Sequence, residues 1–333
     1  MTSTRSSVGR PAPTCRCARG RVVAWGLAWL LPTLALAAAE VTPYQAVVAL
    51  GGTTEADRAA AFAEALKIAA VRASGRSDAA IAPRIVAAAA DPTSYVQHYS
   101  TTADRRLKVG FDPRAMDQLL QQAGLPQWPA ERPVVTVMLF TPNVAGGARA
   151  VTGADSAIER LEVERAAQLR GVPVAWPSEA FDPATARARV AAEPAALLGL
   201  GGNGGDYEWV FSHAGKTWRA QGGIGQAIGG AADSLASRYA PASTGAVNTV
   251  RLRVGGLAGV RDYAALTGYL EDLSLVRSVA VREFDRDSVQ FDLAVRGDAE
   301  LLRRIFALDG RLAPAAEAPG GAAGLVDFVW QSS

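Results

Sequence analysis

Hydrophobic positions change their spacing several times along the chain, and each change predicts an element. Between Thr54 and Gly75, Phe62, Leu66, Ala69 and Ala73 recur as one helix face, with Thr54 placed to cap its start and Gly75 to end it. The run before it, Tyr44 to Leu50, reads as a strand, and a second short helix is expected over Ile81 to Ala89. "SYVQHYS" and "RRLKVGFD" read as paired strands, since Leu107, Val109 and Phe111 alternate. Asp112-Pro113 then opens a helix whose buried face is Met116, Leu119, Leu120 and Ala123, with proline at its tolerated first position. Gly124 to Pro133 reads as a linker on its proline and glycine content.

A second alternation follows. Val134 to Phe140 is a continuous apolar run, as expected of a strand covered on both faces. Then come a helix over Ser156 to Arg170, a strand "VPVAW", a helix over Pro183 to Glu193, a strand "AALLGLG" and a helix over Gln226 to Ala240. This order predicts a mixed sheet with flanking helices. After a linker, "PASTGAVN", strands at Thr249–Val254, Val276–Phe284, Val289–Val295 and Leu325–Trp330 enclose helices over Val260–Leu273 and Asp298–Leu308. That βαββαβ order is ferredoxin-like, with two helices on a four-stranded antiparallel sheet. The fold class expected is therefore α/β (α+β), in three small units over residues 40–125, 132–240 and 246–331.

One stretch raises a chemical question. "GLGGNGGDYEWVFSHAGKT" contains G-x-G-x-x-G at Gly199, Gly201 and Gly204, and Gly215-Lys216-Thr217 copies the end of a phosphate-binding loop. A dinucleotide fold needs its glycines to lead into a helix, whose N–H groups receive the pyrophosphate. Here Tyr207, Trp209 and Phe211 alternate as in a strand, and Val210 stands where the loop's first glycine is required. Hairpin turns account for both patterns, so no nucleotide is expected.

The N-terminus bears on location. Arg5, Arg10, Arg16, Arg19 and Arg21 precede the apolar run Val22 to Ala37, and small residues follow. This order predicts a cleavable signal peptide over residues 1–39 and a periplasmic protein, which touches the membrane only through that segment before cleavage. The whole chain has 34 basic and 32 acidic residues; without those five arginines it has 29 against 32, a net charge of about −3. The remainder gives no electrostatic case for nucleic acid. Cys15 and Cys17 leave with the signal, so neither a disulfide nor a thiol nucleophile would remain.

"EALKIAAVRASG", "YVQHYS", "LKVGFDPRAMDQLLQQAGLPQW" and "RPVVTVMLF" resemble domain-of-unknown-function family 2066, exported proteins of Gram-negative bacteria. The middle unit also resembles the α/β domains of envelope-assembly accessories of the curli-secretion and TolB N-terminal type. The resemblance implies an exported α/β protein and assigns no catalytic, cofactor or metal residue.

Nothing else in the chain is arranged for catalysis. His98 and His213 are the only histidines, neither lies in a metal-ligand spacing, and there is no G-x-S-x-G. Trp209 and Trp218, on neighbouring strands of one predicted hairpin, are the candidate contacts for a partner or ligand; such pairs also simply stabilise sheets. The function expected is a non-enzymatic accessory without cofactor, binding envelope proteins. The alternative is a small-ligand or glycan-binding protein, with a hydrolase third.

Overall fold

The computed structural model describes residues 39–143, 147–202, 205–241, 247–286, 288–315 and 325–331. The expected signal segment up to residue 38, Gly204, and most of the expected linker at 241–248 lie outside them. The chain is a mixed α/β protein.

It begins with β1 (Ala39–Glu40) and β2 (Gln45–Ala49), followed by α1 (Glu55–Ser74). Thr54 and Asp57 form a reciprocal capping box at the start of α1, and Gly75 closes it in the left-handed conformation at φ 73°. Next come α2 (Pro83–Ala90), β3 (Val96–Thr101), β4 (Arg106–Phe111) and α3 (Pro113–Gln122), the last capped by Asp112. The first sheet has the order β2-β4-β3 and is antiparallel throughout. Its core packs Phe62, Leu66 and Ala69 of α1 against Leu107, Val109 and Phe111.

The segment expected to be a linker is not one. Leu125, Trp128, Ala130 and Arg132 are buried, and β5 (Glu131–Arg132) pairs with β1. Proline and glycine content marks irregular backbone, and here irregular backbone runs through the interior.

The second sheet is built from β6 (Val135–Pro142), β7 (Ala148–Val151), β8 (Val174–Ala175), β9 (Ala195–Gly201), β10 (Tyr207–His213) and β11 (Lys216–Gly222). Its order is β11-β10-β9-β6-β7, with β8 also on β6; β6 runs parallel to β8 and β9, and the other pairs are antiparallel. Between these strands come α4 (Ile158–Arg170) and α5 (Pro183–Arg189), and α6 (Ile224–Tyr239) follows β11. Val137 and Leu139 of β6 face the cluster that includes α4 and α6, whereas Met138 and Phe140 face α5. That two-sided burial is why β6 is apolar at successive positions.

The third sheet comprises β12 (Val247–Gly255), β13 (Val276–Phe284), β14 (Ser288–Arg296), β15 (Leu312–Pro314) and β16 (Leu325–Trp330), with α7 (Val260–Asp272) and α8 (Ala299–Asp309). The strand order β13-β14-β12-β16-β15 keeps the βαββαβ sequence, with one difference. The last strand, β16, runs parallel to β12 instead of antiparallel. The cause is β15, an additional short strand after α8, which pairs antiparallel with β16 at the sheet's edge and reverses the chain. Phe291 and Leu293 of this sheet share one apolar cluster with Ile228 and Leu235 of α6.

Candidate functional site

Gly199 and Gly201 lie on β9, directly opposite Trp209 and Tyr207 of β10. A Cβ at Gly199 would lie 2.3 Å from the Trp209 ring, and one at Gly201 would lie 3.2 Å from the Tyr207 ring. The aromatic rings occupy the space that side chains on the glycines would need. The glycine pattern is therefore a cross-strand packing device. Gly215 belongs to the two-residue turn of the β10–β11 hairpin, where Ala214 has φ 49° and Gly215 φ 75°, as a type I′ turn requires. Lys216 begins a strand, not a helix.

The two tryptophans have different environments. Trp209 is 1% exposed, and its Nε1–H donates to the Gly222 carbonyl at 2.9 Å. It is a core residue and presents no surface to a partner. Trp218 is half-buried on β11, with its ring centroid 5.6 Å from that of Phe211. Gly230 of α6 accommodates it, since a Cβ there would lie 3.2 Å from the indole. Its remaining face is at the edge of the sheet.

That edge has a defined hydrogen-bonding face. In a two-residue hairpin the closing pair, here His213 and Lys216, is hydrogen-bonded, and the pattern then alternates along the strands. Phe211/Trp218 and Trp209/Ala220 are then hydrogen-bonded pairs. Consequently Thr217, Arg219 and Gln221 direct their backbone N–H and C=O groups away from β10. β11 is the terminal strand of its sheet, and its seven residues pair with β10 without a register shift. Several other edges are blunted. β13 has two register shifts and β3 has one. β15 is three residues ending in Pro314. On β2 the outward carbonyls of Gln45 and Val47 accept from the guanidinium groups of Arg72 and Arg106. Such devices discourage edge pairing; among the described residues β11 carries no bulge, proline or side-chain cap, and the only such device on it is the charge of Lys216 and Arg219.

The side chains of β11 divide between two faces. Trp218 lies toward α6, while Thr217, Arg219 and Gln221 share the opposite face with Glu208 and Val210. On that opposite face α5 covers Met138, Phe140, Ala196 and Leu198 but leaves a groove of 580 Å³ over the β10–β11 half of the sheet. Leu200 and Val210 line it, with Arg187 and Arg219 at its rim. Among the described residues Arg187, Arg219 and Lys216 have no ion-pair partner, whereas Arg189 of the same helix pairs with Glu193 at 3.5 Å. The surface is thus a regular free edge flanked by a groove of mixed lining, in which Glu208 accompanies the unpaired Arg187 and Arg219.

The histidines are not brought together. His98 is exposed on β3 of the first sheet. His213, at the end of β10, is 8% exposed; its Nδ1 lies 2.8 Å from the Pro194 carbonyl and its Nε2 lies 3.1 Å from the Tyr239 hydroxyl. Burial pushes the His213 pKa below its ordinary value of 6.5, and Arg238 adds to this, against the opposing hydrogen bond to Pro194. The neutral ring donates from Nδ1 and accepts from Tyr239, a satisfied structural arrangement. Among the described residues no cluster of three His, Cys, Asp or Glu side chains is arranged to hold a metal ion.

Residues 37–129 match the family described as Domain of unknown function (DUF8605). This corrects the expectation of domain-of-unknown-function family 2066. Most of the motifs behind that expectation fall within the matched residues, and they are the α1 face, the β3–β4 hairpin and the α3 cap, features that different α/β units share. No curated protein and no solved structure matches the chain.

Proposed function

We propose that this is an exported protein of the periplasm that acts by binding other envelope proteins, without catalysis or a cofactor. The observation that carries this reading is the free, unbulged edge of β11 beside an uncovered groove. An open strand edge offers backbone donors and acceptors to an incoming chain, and adjacent side chains supply selectivity. The basic–apolar–small order of residues 1–39 supports export. A second reading draws on the groove's 580 Å³, which lies within the range of small-ligand sites; a small amphiphilic anion or a glycan would then lie between Arg187 and Arg219.

The test is site-specific photo-crosslinking in intact cells. A crosslinking residue at Thr217 or Gln221 should yield an adduct with another envelope protein, and one at the exposed Val260 should not. The adduct should disappear when Arg219 is reversed to Glu. Absence of any adduct from positions 217 and 221 would overturn the contact reading. Recovery of the chain from the cytoplasm with residues 1–39 intact would overturn export.

A further inference from the structure

Building on that reading, we infer that the partner segment is an extended strand alternating acidic and apolar residues, which adds to the free edge of β11. The backbone groups of Thr217, Arg219 and Gln221 face outward along this edge. A strand laid there continues the sheet, and its side chains alternate between the same two faces as those of β11. Residues on one face lie beside Trp218, whose half-exposed indole is apolar surface already backed by Phe211 and Gly230. Apolar side chains suit that face. Residues on the other face lie beside Arg219, with Arg187 across the groove; neither forms an ion pair with a described residue, and Glu208, the acid that lines the groove, sits one strand further in on β10. Carboxylates suit that face, because an opposite charge directly across a strand pair is stabilising.

Charge also weighs against one competitor, a second copy of the same edge paired about Arg219. β11 reads "KTWRAQG", with two basic residues and no acid. An antiparallel self-pair centred on Arg219 would set each Arg219 directly against its own copy, which destabilises a cross-strand pair. That self-pairing register is disfavoured, whereas a carboxylate opposite Arg219 would be favourable.

Fluorescence anisotropy of the purified full chain with synthetic peptides tests this. The probes are a labelled peptide alternating glutamate and valine, its lysine–valine counterpart, and the glutamate peptide N-methylated on alternate amides, which cannot extend a sheet. The glutamate peptide should bind about tenfold or more tightly than either of the others. Gln221→Pro removes only an outward N–H, so the β10–β11 ladder survives. It should weaken binding about fivefold or more at an unchanged melting temperature, as should Arg219→Glu. Arg219→Glu should also shift preference toward the lysine peptide, a gain that misfolding would not give. Equal binding of the two charged peptides, or indifference to both substitutions, overturns the inference. Crosslinks from positions 217 and 221 without binding of the glutamate peptide overturn this inference while leaving the contact function standing. Absence of both overturns the two together.

Discussion

Arg132 and Gly171 are matched so closely that neither admits a substitute. The Nη1 of Arg132 donates to the Gly171 carbonyl at 2.6 Å, and a Cβ on Gly171 would lie 2.4 Å from that same nitrogen. The same guanidinium donates to the Pro129 carbonyl at 2.9 Å and to the Arg72 carbonyl at 2.8 Å, and lies 3.8 Å from the Trp128 ring centroid. Arg72 is in the last turn of α1, and Gly171 caps the end of α4. One buried cation therefore satisfies the orphan carbonyls of two helix ends from different sheets, where the helix dipoles also favour positive charge. Burial lowers its pKa to about 9, which keeps it charged at neutral pH.

Removing Arg132 is therefore predicted to be severe. Arg132→Ala removes the donor to the carbonyls of Pro129, Gly171, Arg72 and Trp128 and should cost about 3–5 kcal/mol. Arg132→Lys should also destabilise, because an ammonium cannot reproduce the planar fork. Chemical denaturation checks both. An unchanged midpoint for Arg132→Ala would remove Arg132 from its place at the junction.

His213 predicts a pH dependence. Its folded pKa lies below the unfolded value near 6.5, so the unfolded chain binds a proton more readily in the acidic range. The stabilising contribution is therefore present above pH 6.5 and is lost as pH falls from there toward the folded pKa, with a slope of at most about 1.4 kcal/mol per pH unit. Denaturation between pH 7.5 and 5 should show this loss, and His213→Gln should flatten it. An identical slope in the His213 variant would assign the effect elsewhere.

The glycine pairings predict a stability cost where a nucleotide site would predict lost binding. Gly199→Ala forces its Cβ into the Trp209 ring and should cost about 1–3 kcal/mol. Calorimetry with ATP, GTP or NAD should be flat for the unsubstituted protein. Binding with a Kd below about 10 μM would restore the nucleotide reading.

What the sequence makes legible follows the range of the forces involved. Thr54, Gly75 and Asp112 act within one turn of a helix, so their caps are visible in the residue order. The alternation of Val289, Phe291, Leu293 and Val295 likewise reports a one-sided core. β1, β5, β7 and β15 have two to four residues, too few to show a period; β1 and β5 exist because they pair with each other from distant parts of the chain, and β7 and β15 because each pairs with the strand next to it in sequence. β15 then decides the direction of β16, which local pattern cannot reveal. Arg132 reads as an ordinary surface charge until the ends of α1 and α4 meet around it. Trp209 and Trp218 are legible in the sequence as two aromatics of one hairpin, but only burial and strand order show that Trp209 is enclosed and that Trp218 lies on the terminal strand.

That distinction yields the last prediction. Trp209 is enclosed by Gly199, Tyr207 and α6, so Trp209→Ala should cost about 3–5 kcal/mol and lower the melting temperature markedly. Trp218 gives up less buried area, and Trp218→Ala should cost about 1–2 kcal/mol. Binding should move the other way. At a temperature where both variants remain folded, Trp218→Ala should weaken capture of a strand at β11 because the incoming apolar side chains lose their platform. Trp209→Ala should leave that edge nearly intact, since its ring faces inward. Circular dichroism melts paired with peptide titrations separate the two effects. Equal losses of stability at both positions, or loss of binding at Trp209 alone, would show that the indole at the edge is only packing.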